Sequence, residues 1–253
     1  MPRTHAAATT EVADGVFRLA HAYVNVYLVV DGREVLVVDT GLPAFWPLLG
    51  QALRSLGRTP ADVAAVALTH AHFDHTGVAA RLRRELGVAV WAHPEDFFLA
   101  AHPYRYAHEN PRALYPLRHP RALPILAAIA GAGALRVPAI DDLRAYPTSG
   151  ELPLPGAPRV LFTPGHTYGH CALHLPGRDT LISGDALVTL DPYTGLPGPQ
   201  IVAGAATADS GQALASLDVL AATGAATVLP GHGEPWHDGV EAAVDRARAR
   251  GAH

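Results

Sequence analysis

Residues 69–77 read THAHFDHTG and place three histidines and one aspartate within six consecutive positions. His70, His72 and Asp74 alternate along the chain, so in an extended loop their side chains lie on the same side. His75 breaks the alternation and must point in another direction. Because imidazole and carboxylate groups suit zinc, iron or manganese, the segment predicts metal ligands that face two ways.

Three further candidate ligands follow apolar, strand-like runs elsewhere in the chain. They are His166 in TPGHTYGH, Asp185 in ISGD and His232 in LPGHG. Each lies beside a glycine, which lets the backbone turn sharply and come close to a metal. Asp39 in VVDTG occupies the same kind of position. A mononuclear catalytic site needs only three protein ligands, so this number of candidates indicates two metal ions.

The motifs HAHFDH, PGHT, SGD and PGHG, in this order and spacing, resemble those of the metallo-β-lactamase-fold hydrolase superfamily over about residues 15–236. The resemblance implies an α+β fold, a four-layer αββα sandwich with the metal site at one edge of the two sheets. It also implies two Zn²⁺ ions, with iron or manganese as alternatives. The implied roles are His70, His72 and His166 for the first metal, Asp74, His75 and His232 for the second, Asp185 as the bridge and Asp39 as a residue that orients the ligands.

The reaction implied by the resemblance is metal-dependent hydrolysis of an activated acyl bond. Two metal ions roughly 3.5–4 Å apart hold a bridging hydroxide near neutral pH, and the hydroxide attacks an electrophilic carbonyl. Asp74, a ligand with a spare oxygen, is expected to orient the nucleophile and pass its proton to the leaving atom. Asp185 points to the glyoxalase II and lactonase branch, because β-lactamases of this superfamily lack a bridging aspartate. The predicted substrate is a small, hydrophobic thioester, lactone or ester, with Tyr193 and His170 as possible contacts.

Two alternatives remain open from the sequence. A mononuclear iron persulfide dioxygenase of the same superfamily would use two histidines and Asp185 as ligands. A non-catalytic binding protein on the same scaffold is the other, and it would be expected to have lost a ligand, whereas all seven positions here carry competent side chains.

A variable segment at about residues 94–140 separates the HAHFDH and PGHT motifs and is rich in Pro, Arg, His and Tyr. In the superfamily this region typically covers the active site. Two interpretations stand side by side: a lid or pocket wall, and a surface cap that packs or forms a dimer contact. The pocket-lining candidates are Phe97, Phe98, Tyr104, Tyr106 and Tyr115, with Arg105, Arg112, Arg118 and Arg121 as possible partners for an acid group.

The hydrophobic pattern predicts the strands and helices that position these motifs. VYLVVDGREVLVV predicts a hairpin, with strands at 24–30 and 35–38 around the turn Asp31-Gly32. Helices are predicted at about 43–56, 76–86, 214–220 and 240–250, with Gly87 ending the second. Strands followed by polar loops occur in both halves without a linker, which suits two packed sheets with helices outside and predicts one domain over 1–253.

Composition narrows the class of protein. Among 253 residues, 49% are hydrophobic and 17% charged, which is typical of a folded globular chain. The net charge of −4 comes without a basic stripe, so no nucleic-acid partner is expected. A single cysteine permits no internal disulfide, the N-terminal residues lack an apolar signal core, and the apolar runs are too short to span a bilayer. The expectation is a cytoplasmic enzyme with a small-molecule acyl substrate and no membrane partner, possibly a homodimer.

Overall fold

The computed structural model describes residues 9–147 and 150–253, and two β-sheets form its centre. The first sheet has seven strands that follow one another in chain order: β1 Thr9–Ala13, β2 Val16–His21, β3 Val24–Asp31, β4 Glu34–Val38, β5 Val63–Ala67, β6 Ala89–Ala92 and β7 Arg144–Ala145. Strands β1 to β4 are antiparallel, and β4 to β7 are parallel. The expected hairpin is present as β3 and β4.

The second sheet has four strands in the spatial order β13-β10-β9-β8. Their bounds are β8 Arg159–Phe162, β9 Cys171–Leu175, β10 Thr180–Gly184 and β13 Thr227–Pro230. Strands β11 Val188–Leu190 and β12 Pro197–Gln200 form a separate antiparallel pair. Because β10 and β13 are parallel and β8 runs the same way, the carboxyl ends of all three lie at one edge of the sheet.

Seven α-helices flank the sheets: α1 Phe45–Ser55, α2 Ala79–Leu86, α3 Phe97–Ala101, α4 Tyr115–Arg118, α5 Leu123–Gly131, α6 Ser210–Ala221 and α7 Val240–Arg250. Among the described residues, none of these helices has the length and apolarity needed to cross a membrane. The helix expected from residue 76 begins at Ala79 and ends at Leu86, and the left-handed backbone of the following Gly87 closes it. The segment at 94–140 consists of short helical pieces, as its interrupted pattern indicates.

The buried apolar side chains show how the layers stack. Between the sheets, Tyr27 and Leu36 of the first sheet pack with Leu173 of the second. On the outer face of the first sheet, Leu28 packs in the cluster that also contains residues of α1, α2 and α5. Strand β3 is therefore buried on both faces, which explains its apolar run at residues 26–30. The second sheet packs its outer face on α6 and α7, so the predicted four-layer αββα sandwich is confirmed.

Candidate metal centre

The candidate ligands lie in loops that leave the strands at the shared edge. Asp39 follows β4 and the HAHFDH loop follows β5, and these two strands are parallel neighbours. Asp185 follows β10, and His232 follows β13, which is parallel to β10. The edges of the two packed sheets therefore bring residues from four distant parts of the sequence together.

All seven predicted metal ligands converge there. The ligand atoms of His70, His72 and His166 lie within 4.8 Å of one another, and so do those of Asp74, His75 and His232. The carboxylate of Asp185 lies between the two triads. Its Oδ2 is 3.4 Å from His166 Nε2 and 3.3 Å from His232 Nε2. This arrangement matches two neighbouring metal positions with one shared carboxylate.

Four of the five ligand imidazoles have their second ring nitrogen held by a neighbouring group. Such contacts fix the orientation and tautomer of a metal-binding histidine. The pairs are His70 with Thr69 Oγ1 at 3.0 Å, His75 with Asp39 Oδ2 at 2.9 Å, His166 with Thr207 Oγ1 at 3.4 Å and His232 with the Tyr23 carbonyl at 2.7 Å. Their remaining nitrogen, Nε2 in each case, is thereby directed into the cluster.

Asp39 lies where the expected orienting residue should lie. Its carboxylate accepts hydrogen bonds from the backbone N–H and the hydroxyl of Thr69, both at 2.8 Å, as well as contacting His75. The backbone of Asp39 has a φ of 58°, in the left-handed region that few non-glycine residues adopt. The Asp39 side chain keeps this strained backbone in place, because it contacts Thr69 just before the HAHFDH motif and His75 at its end.

The donor set fits divalent metal ions. The Nε2 atoms of His70 and His75 and the Oδ1 atom of Asp185 are buried, with no hydrogen-bond partner among the described residues. Buried polar atoms are normally paired, so orphaned atoms that converge on one point call for a ligand between them. Burial lowers the pKa of His70 and of His166 well below the ordinary value, which keeps both rings neutral, the form that binds metal.

Tyr193 and His170 were the expected substrate contacts, and the structure does not place His170 in that role. His170 is fully buried, and its Nε2 accepts hydrogen bonds from the backbone N–H groups of Asp185 at 3.0 Å and Ala186 at 3.2 Å. Its Nδ1 lies 2.8 Å from Thr163 Oγ1. Both ring nitrogens are thus engaged, so the prediction of substrate contact is corrected: His170 holds the loop that carries Asp185.

Tyr193 does lie at the cluster, together with Tyr106 from the variable segment. The two hydroxyls are 3.1 Å apart, and both rings line a small cavity with Asp74 and His232. The ring of Tyr106 lies 4.4 Å from the ring of His72, and the Arg112 guanidinium stacks 3.7 Å from the Tyr106 ring centre. Burial raises the pKa of Tyr193 well above its ordinary value, so its hydroxyl keeps its proton.

The variable segment is fastened to the second half of the chain. Glu109 accepts hydrogen bonds from the backbone N–H of Ser210 at 2.8 Å and from its hydroxyl, at the start of α6. The backbone N–H groups of Glu109 and Asn110 donate to the carbonyls of Thr207 and Gly204. These contacts hold Tyr106 over the cluster of candidate ligands. Tyr115 packs instead against Ala203 and Ala205, so the segment combines covering with packing.

Asp96 is a buried residue of the site that the motifs do not reveal. One of its oxygens accepts from the Ala71 N–H at 2.9 Å and the Thr167 hydroxyl at 2.8 Å, and the other from the Gly169 N–H at 2.9 Å. Ala71 lies between His70 and His72, and Thr167 follows His166. Asp96 therefore ties together the two loops that carry the first triad. The only sequence sign is an acidic residue shortly after a strand, which is too common to single out.

Comparison with known proteins identifies the family to which the chain belongs. The family described as the metallo-beta-lactamase superfamily matches residues 21–232 of the chain. The probable metallo-hydrolase YflN of Bacillus subtilis (strain 168) is 28% identical over 199 residues, 76% of this chain and 72% of that protein. The N-acyl homoserine lactonase AttM of Rhizobium radiobacter is 26% identical over 228 residues, 81% of this chain and 77% of that protein.

Solved structures agree with the sequence relatives. The metallo-beta-lactamase family protein TTHA1429 from Thermus thermophilus superposes with a TM-score of 0.67 at 27% identity, covering 95% of this chain and 80% of that one. A second structure, TTHA1623 in a di-iron-bound form, has a TM-score of 0.58 at 29% identity, covering 93% of this chain and 96% of that one.

Proposed function

The chain belongs to the metallo-beta-lactamase superfamily, and from that premise we propose that it is a dinuclear metal-dependent hydrolase of activated acyl bonds. One observation carries the proposal: Asp185 lies between two complete triads of ligand side chains, with its carboxylate 3.3–4.0 Å from imidazole nitrogens of both. A lone metal ion would need only one triad. The substrate class proposed is a thioester, lactone or ester.

The proposed metal is Zn²⁺. Each triad would hold one ion, and Asp185 would be a ligand of both. When bound, such a pair supplies a hydroxide nucleophile near neutral pH and an electrophile for the carbonyl oxygen. Nitrogen-rich triads with carboxylates suit zinc, and also suit iron. The related TTHA1623 has been solved in a di-iron-bound form, which makes iron the alternative metal to test.

Asp74 is proposed as the residue that moves the proton. Its exposed fraction of 8% is the largest among the seven ligand side chains, so it faces the opening of the site. Burial raises the pKa of Asp74, but the contacts with His232 and His75 lower it by more. The net shift is downward, so the group is held as a carboxylate. One oxygen remains for proton transfer when the other is a ligand. It accepts a proton from the attacking water and passes it to the leaving atom.

Tyr193 is proposed to donate to the substrate carbonyl. Tyr193 lines the same small cavity as Asp74 and His232, with its hydroxyl 3.1 Å from that of Tyr106. The raised pKa keeps the hydroxyl protonated, as a hydrogen-bond donor requires. A donor aimed at the carbonyl oxygen stabilises the negative charge that develops there in the transition state. AttM is named as a lactonase, and a lactone is therefore the first substrate to try.

The experiment is a hydrolysis screen with one lactone, one thioester and one ester at pH 7.5, using protein reconstituted with Zn²⁺ or Fe²⁺. We expect hydrolysis that a chelator abolishes and that Asp185→Asn lowers roughly 100-fold or more, because the shared ligand is lost. Asp238→Asn, an exposed carboxylate in a loop, is the matched control and should retain full activity. Metal-loaded protein that hydrolyses none of the three, or hydrolysis that survives the chelator, would contradict the proposal.

A further inference from the structure

A cavity of about 190 Å³ opens beside the first triad. His72 and His166 line its inner end, and α3 and the loop after His166 form its sides. It is separate from a larger cleft of about 1000 Å³, which lies between the β2–β3 turn and α5 and is lined by none of the seven ligands. Of these two, the smaller cavity adjoins the reacting centre, next to the narrow space that Asp74, Tyr193 and His232 line.

The walls of this cavity are mainly apolar. Leu99, Ala107, Ala208 and Tyr106 are among the residues that line it. Two of the polar groups in the wall are already engaged, since both oxygens of Asp96 accept hydrogen bonds and the Thr167 hydroxyl donates to one of them, whereas His72 Nε2 at the ligand cluster has no partner among the described residues. A ligand group in this space gains from removing apolar surface from water and finds few free hydrogen-bonding partners.

The mouth of the cavity carries two large aromatic side chains that remain in water. Phe98 is 58% exposed and Tyr168 is 51% exposed, and both line the cavity. Arg105 and Glu95 lie there too, with opposite charges, so the mouth selects for neither sign. Two exposed aromatic rings at the entrance of an apolar cavity are the arrangement expected where an apolar ligand covers them.

We propose that this cavity binds the acyl side of the substrate, an acyl group whose apolar part has about six carbons. The proposal rests on the proposed hydrolase function and narrows its substrate. An apolar cavity of about 150 Å³ accepts a benzene ring, so the space found here suits a six-carbon group. The carbonyl lies next to His72 and His166, and the chain runs outward past Leu99 to Phe98. The leaving group then faces the opposite side, toward Asp74.

Binding of n-alkanoates from acetate to decanoate, measured by isothermal titration calorimetry on Zn²⁺-loaded protein, tests the assignment without turnover. Each methylene that enters the cavity should tighten binding about threefold to fourfold, and the gain should level off beyond about six apolar carbons. Ala107→Trp fills the cavity from its solvent side, where Ala107 is exposed, and should flatten this dependence on chain length. Ala128→Trp places the same side chain in the larger cleft and should leave the dependence intact.

Phe98→Ala is a second, milder variant, because Phe98 is exposed and its loss should perturb the fold little. It should weaken octanoate binding severalfold while hexanoate loses less. Binding that is independent of chain length, or equal effects of Ala107→Trp and Ala128→Trp, would overturn the cavity assignment even if acyl substrates are hydrolysed. Chain-length-dependent binding that Ala107→Trp removes, together with no hydrolysis of any acyl substrate, would keep the cavity assignment and overturn the proposed reaction.

Discussion

At the scale of single residues, the position of the first triad depends on a carboxylate that binds no metal. Asp96 is only 2% exposed, and its oxygens accept from three donors on the loops that carry His70, His72 and His166. Burial raises the pKa of Asp96 to about 6, the cost of placing a carboxyl group in the interior. That cost is partly offset by the three donors, which would otherwise be left unpaired.

Asp96→Ala should therefore lower both stability and metal affinity. Leaving three buried donors without an acceptor is expected to reduce the free energy of unfolding by about 2–4 kcal/mol. Metal affinity should fall about 10–100-fold, the usual loss when a group supporting the ligands is removed. Glu95→Ala, next in sequence but exposed, is the control, with an expected change within about 0.5 kcal/mol.

Chemical denaturation and a competition assay with a metal-binding dye measure the two effects. If Asp96→Ala loses stability but binds metal as tightly as the unchanged protein, Asp96 supports the fold alone and does not position the ligands.

The sequence reveals the site residues unevenly, for a physical reason. The seven candidate ligands could be picked out because each lies in a short motif whose chemistry is visible locally. The contributions of Asp96 and Tyr106 arise only after the chain returns to the cluster from a segment without a motif. His170 illustrates the converse, since its place in TPGHTYGH suggested substrate contact, and only the fold shows that its Nε2 accepts from the loop after β10 while its Nδ1 pairs with Thr163.

At the scale of elements, the strand ends approach so closely that side chains are excluded between them. Gly231, in the loop after β13, faces the loop after β10. A Cβ atom on Gly231 would lie 2.8 Å from the ring of His75, and it would come closer still to Asp185 Oδ1. The glycine in this motif is therefore required by the approach of the Asp185 carboxylate, which the parallel pairing of β10 and β13 enforces.

Gly231→Ala should displace Asp185 and lower metal affinity at least about tenfold. Gly131→Ala is the matched control, because a Cβ there meets nothing within 4 Å and the residue lies in α5. Because alanine is the better helix former, the free energy of unfolding of the control should be up to about 1 kcal/mol higher than that of the unchanged protein. Thermal unfolding with and without added Zn²⁺ reads out both variants. A Gly231→Ala protein that gains as much stability from Zn²⁺ as the unchanged chain would refute the close-approach argument.

Strands and helices were predictable where their apolar pattern is regular, as for the β3–β4 hairpin and for α7. Strands β1 and β2 were not predicted, because β1 is short and has no fully buried residue, and the pattern of β2 includes charged and partly exposed positions. Such strands, of which β1 lies at the edge of the sheet, are specified by pairing with a neighbour, which a local pattern does not contain.

At the scale of the whole molecule, His253 contacts the loop that carries Tyr193, which is distant in the sequence. His253 Nε2 lies 3.0 Å from Asp191 Oδ2, and Asp191 also accepts from the Tyr193 N–H and the Thr194 hydroxyl. The hydrogen bond to Asp191 raises the pKa of His253 above its ordinary value, while burial and Arg250 oppose the shift. The protonated ring is thus favoured in the folded state.

This contact should make stability depend on pH in one direction. Because the pKa of His253 is higher in the folded than in the unfolded chain, its contribution is fully present below about pH 6.5 and is lost as pH rises through the raised value. His253→Gln should lower Tm by about 2–4 °C at pH 6, as expected for a pair worth about 1 kcal/mol, and by less at pH 9. The exposed His237→Gln is the control. An equal loss of Tm at both pH values would show that the charge on His253 does not matter.

The most direct test of the central claim is the number of metal ions per chain, measured by inductively coupled plasma mass spectrometry on protein purified without added metal and again after reconstitution. Two complete triads around Asp185 predict two divalent ions per chain, falling toward one or none in Asp185→Asn. A single ion per chain at saturation, in particular one iron, would contradict the dinuclear site and favour a mononuclear iron enzyme built on the same ligands.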